Sequence, residues 1–75
     1  MRPDLKEVLA QVFRLRSEAV GPRSSPDSIP AWDSLGHLQL VAALESAFGL
    51  RFNVREIQTM DSAAKIEAVL AARGR

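Results

Sequence analysis

No cysteine occurs among the 75 residues, and histidine occurs once. A disulfide frame is thereby excluded and a zinc site has too few ligands, so packing alone must hold the fold. No apolar stretch approaches the ~20 residues needed to cross a bilayer. Met1-Arg2-Pro3-Asp4 leads straight into an amphipathic pattern and not into a signal-peptide core, which predicts a cytoplasmic protein without a membrane partner. Neither sign of charge dominates, since 10 Lys and Arg against 9 Asp and Glu give +1. From Asp33 to Gly49 there is no Lys or Arg at all. The most prominent helical stretch therefore has no phosphate contacts to offer, and a helix-turn-helix reading with nucleic acid as partner is set aside. Repeats and low-complexity tracts are absent as well, which leaves a single domain spanning residues 1–75.

Apolar residues make up 47% of the chain and charged residues 25%, the proportions of a folded domain and not of a disordered tail. A chain this short buries only about 60–65% of its unfolded surface, so it has little stability to spare and no room for an elaborate active site. Leu5, Val8, Leu9, Val12 and Phe13 recur at helical spacing and predict a first helix over about 3–16, with Pro3 suited to its first turn. Residues 17–32 carry Gly21, Pro22, Pro26 and Pro30 among several serines, which breaks any helix and leaves a long loop. Val20, Ile29 and Trp32 are its expected anchors onto the core. Asn53 is a fair N-cap for a short helix over about 54–59 with Ile57 inward, and Asp61 for a last helix over about 62–73. Ala63, Ile66, Val69 and Leu70 form the buried stripe of that last helix, with Met60 set to staple onto it. The expectation is an all-α bundle.

The second main helix, about 34–48, is the organising element. Asp33 suits its N-cap and Gly49 the left-handed position past its end, which puts Ser34 on the first turn, exposed. At ~100° per residue His37, Leu40, Val41, Leu44 and Phe48 share one arc, the expected buried face. The other side carries Leu35, Gly36, Leu38, Gln39, Ala42, Ala43 and Ser46, with Glu45 near the border. A small, nearly uncharged surface of this kind is expected to dock a partner.

Asp33-Ser34-Leu35 opening an amphipathic helix that closes on Leu44-Glu45, Phe48 and Gly49 resembles the acyl carrier protein family, and the resemblance spans nearly the whole chain. It implies a four-helix bundle: three main helices, a short third helix and a long loop between helices I and II. In that family the motif serine carries 4′-phosphopantetheine, and only Ser34 stands in that position, flanked by Asp33 and Leu35. The resemblance implies a monomeric, non-catalytic carrier that holds an acyl or aminoacyl group as a thioester. Its partners would be a phosphopantetheinyl transferase, an acyl- or aminoacyl-loading enzyme and downstream acyl-transfer enzymes, meeting Leu35, Gly36, Leu38, Gln39, Ala42 and Glu45. Typical members carry several acids on this face, whereas Gly36, Gln39 and Ser46 replace them here, which points to a specialised carrier. The Gly-Gly-His-Ser of peptidyl carrier relatives is absent.

The residues admit other readings. Ser34 could merely help cap its helix. With His37 three residues on, it could be a nucleophile and its base, but no third group is evident and Gly-x-Ser-x-Gly is missing. A small helical scaffolding or interaction domain without a prosthetic group is the main alternative to the carrier.

Overall fold

The structure, a computed structural model, describes residues 1–75. It contains four α-helices and no strand: α1 (Pro3–Phe13), α2 (Ser34–Phe48), α3 (Val54–Thr59) and α4 (Ala63–Ala72), with a single turn of 3₁₀ helix at Ser17–Ala19. Leu5, Leu9, Leu40, Leu44, Met60, Ile66 and Leu70 are fully buried, so α1, α2 and α4 each contribute two or more residues to one core. None of the helices is long and apolar enough to cross a membrane.

The first helix stops earlier than its pattern predicts. Arg14 adopts left-handed geometry (φ 57°, ψ 47°), and the Leu15 N–H donates back to the Ala10 carbonyl at 2.9 Å. A left-handed non-glycine residue costs roughly 1–2 kcal/mol. Here that cost is offset by the returning hydrogen bond and by Leu15 folding back against the core.

The connecting loop is an ordered arm. Val20, Ile29 and Trp32 are all buried, as their apolar character predicts, and Ser24 is buried with them. Its hydroxyl oxygen accepts from the Gly21 N–H at 2.9 Å, while its carbonyl accepts from the Ala63 N–H at 2.9 Å and so ties the loop to the start of α4. That start differs from the expected one. Ser62, not Asp61, caps α4 by accepting from the Lys65 N–H at 3.2 Å, and Asp61 instead pairs with Lys65 Nζ at 2.9 Å.

At the other end of α2, Gly49 takes the left-handed position (φ 63°), and Glu45 reaches past it to accept from the Phe52 N–H at 2.9 Å. Asn53 then starts α3 with a reciprocal capping box to Glu56. The Asn53 N–H, and after it Arg73 at 2.7 Å, hold the Glu56 carboxyl below the usual carboxylate range. The termini meet on this side too, where Arg2 donates its backbone N–H to Glu67 at 2.7 Å and lays its guanidinium 5.3 Å from the Phe48 ring centroid.

Candidate functional site

Ser34 is the first residue of α2 and is exposed, with no hydrogen bond from its hydroxyl to the protein. Asp33 caps the helix by accepting from the Gly36 N–H at 2.8 Å. The N–H groups of Ser34 and Leu35 find no protein acceptor, as the first positions of a helix dictate. Two free amide donors at the positive end of the helix dipole therefore lie beside the serine oxygen.

Behind this turn, Phe13, Trp32 and His37 form a stack, with ring centroids 5.4 Å and 6.3 Å apart. Trp32 donates from Nε1 to His37 Nδ1 at 3.0 Å, and His37 Nε2 lies 2.7 Å from the Ile57 carbonyl oxygen. An open groove of about 540 Å³ runs beside Ser34. Asp33, Ser34, His37 and Leu38 form its near side, Ile57 and Gln58 of α3 its far side. Asp61 also lines it, its carboxyl held below the usual range chiefly by the hydrogen bond from Lys65.

Both ring nitrogens of His37 are committed, one accepting and one donating, so no lone pair is free to take a proton from Ser34. The nucleophile-and-base reading has no geometric support. Nor does any cluster of three His, Cys, Asp or Glu side chains exist to hold a metal ion. What the arrangement offers is an exposed hydroxyl on the first turn of α2, free of any side-chain base.

The expected docking face divides. Leu35 and Leu38 are 65% and 61% exposed, and Gln39, Ala42 and Ser46 are exposed with them. Gly36 is not part of that face. It is buried, because residue 31 of the loop crosses directly over it, and its N–H is used by Asp33. Glu45 is also withdrawn, half-buried and spent on the Phe52 N–H. Periodicity missed Val54, 69% exposed at the start of α3, which adds apolar surface after α2. It missed the far side of the groove as well, and Ile57 lies 20 residues from His37 in the chain. The single Trp five residues before the single His was the one available signal.

Compared with models of known protein families and with curated proteins, the chain matches none.

Proposed function

We propose that this chain is a carrier protein of the acyl carrier type, modified at Ser34 with 4′-phosphopantetheine and presenting an acyl or aminoacyl thioester to partner enzymes. The observation that carries the reading is Ser34 itself: an exposed hydroxyl on the first turn of a capped, fifteen-residue helix, beside two unpartnered amide donors. An incoming phosphodiester fits there, since the helix N-terminus stabilises an exposed anion by about 0.3–1 kcal/mol. When bound, the group would supply the thiol that this cysteine-free chain lacks. In the modification step the Ser34 oxygen bonds to the pantetheine-bearing phosphorus of coenzyme A. The phosphoanhydride bond breaks, the nucleotide leaves, and the serine proton passes to a base on the transferase. Asp33 fixes the turn on which this occurs, and Leu38 with Ile57 offers apolar surface along which the arm can lie.

Incubation with a broad-specificity phosphopantetheinyl transferase and coenzyme A is expected to add one phosphopantetheine to the wild type and none to Ser34→Ala, read by intact mass. Modification of Ser34→Ala, or none of the wild type, would leave the scaffolding domain as the better reading.

Partner docking follows from the same face. With Glu45 engaged inside the protein, the exposed residues Leu35, Leu38, Gln39 and Ala42 present shape and apolar area without charge. One exposed ion pair is worth at most about 1 kcal/mol, so affinity for the loading enzyme should change less than about fivefold between ~0.01 and 0.15 M salt. Titration at the two salt concentrations decides it, and a steep decline would mean that several ion pairs govern docking.

A further inference from the structure

The only histidine and the only tryptophan of this chain are bonded to each other, and their partners leave no choice of proton position. An indole N–H can only donate and a backbone carbonyl can only accept. With Trp32 Nε1 3.0 Å from Nδ1 and the Ile57 oxygen 2.7 Å from Nε2, both bonds form only when His37 is neutral and carries its proton on Nε2. The bridge joins three segments: the end of the loop, the first turns of α2, and α3. All three residues line the groove beside Ser34.

We propose that neutral His37 is a positioning residue that holds α3 and the Trp32 indole in place around Ser34, and that a proton taken up at Nδ1 releases Trp32 and loosens that side of the groove. The incoming proton from solvent occupies the Nδ1 lone pair. Two N–H donors then face each other, the indole loses its acceptor, and the ring, pushed away from the indole, carries its Nε2 bond to Ile57 and so α3 with it. The charged groups around the ring are Asp33 from the start of α2 and Asp61 from the turn between α3 and α4, the latter paired with Lys65. From α3 the groove receives only the uncharged Ile57 and Gln58, and α1 offers the Phe13 ring to the stack. Protonation is accommodated at the cost of the Trp32 bond. The bridge is independent of the carrier reading, and only its effect on Ser34 rests on that reading.

Because each residue type occurs once, the test is direct. The full-length protein is titrated between about pH 8 and 5, the interval in which an imidazole changes charge, following Trp32 emission, the His37 ring nitrogens and backbone amides by NMR. We expect the Nε2–H tautomer at high pH and one shared midpoint for His37, the Trp32 emission and the amides of Ser34, Ile57 and Gln58, with the Ile66 amide unmoved. His37→Gln, whose amide can both accept from the indole and donate to Ile57, should keep the fold and abolish the Trp32 titration. If that variant fails to fold, Trp32→Phe serves, in which His37 should titrate while the α3 amides stay still. Separate midpoints, an Nδ1–H tautomer, or static α3 amides in the wild type would overturn the proposal. With the transferase, the ratio of wild-type to His37→Gln modification rates should change severalfold across the midpoint. A constant ratio overturns the link to Ser34, whereas no modification at any pH overturns the carrier reading and leaves the titration to stand on its own.

Discussion

Replacing Leu44 by alanine is expected to lower stability by about 2–5 kcal/mol, the range for truncating a fully buried leucine that leaves a cavity behind. Leu44 has no exposed surface and belongs to a core that Leu5 and Leu9 of α1 and Ile66 and Leu70 of α4 complete, so no neighbour is free to collapse into the space. Domains of this kind have about 5–15 kcal/mol in total, with small ones toward the lower end, so a large share is lost. Phe48 is a different case although it shares the arc. It is half-buried, with Arg2 lying over its ring, and Phe48→Ala should cost clearly less. Ser34→Ala should stay within about 0.5 kcal/mol, since the residue is exposed and its hydroxyl unbonded. Urea denaturation of the three variants with a common slope gives the ranking, and similar losses at Ser34 and Leu44 would mean that the faces of α2 are reversed.

Helical periodicity placed Leu40, Val41 and Leu44 inside because which side of a helix can be buried is decided by the spacing of its own apolar residues. Asp33, Gly49 and Asn53 were equally legible, because each does its work within a few residues of itself. Legibility ended where a distant segment intervenes. Arg14 carries no compositional mark of a left-handed residue, and its turn depends on where Leu15 can pack. Asp61 and Ser62 are both good caps by residue type, and only the fold shows Ser62 accepting from the Lys65 N–H while Asp61 pairs with Lys65 Nζ. His37 fell within the buried arc on the wheel, and only the fold reveals that Trp32 and Ile57 meet there. Ser34 could be read as exposed at a helix mouth, whereas the groove beside it needed α3, whose position depends on the whole bundle.

Gly36 is where this difference has the largest consequence. On a helical wheel it points away from the core, which would make Gly36→Ala a stabilising change worth up to about 1 kcal/mol in helix propensity. The structure reverses the sign. A Cβ at position 36 would overlap the carbonyl oxygen of Ala31, lie 3.1 Å from its carbon and come 3.2 Å from Phe13 Cε1. The obstacle is backbone, and that backbone is held by Ile29 and Trp32, both buried on either side of it. Moving it means shifting the loop, with Trp32 and its bond to His37, away from α2. Forcing extra volume into a packed site costs about 1–3 kcal/mol or more, so Gly36→Ala should be a net loss of about 1–3 kcal/mol even after the propensity gain. Gly21→Ala is the control, because nothing lies within 4 Å of its Cβ position and its φ is not positive, so it should be neutral or slightly stabilising. Denaturation read by Trp32 emission follows both effects at once. Gly36→Ala should unfold earlier and already differ in emission before unfolding, and a variant as stable as wild type with unchanged emission would show that the loop does not press on the first turn of α2.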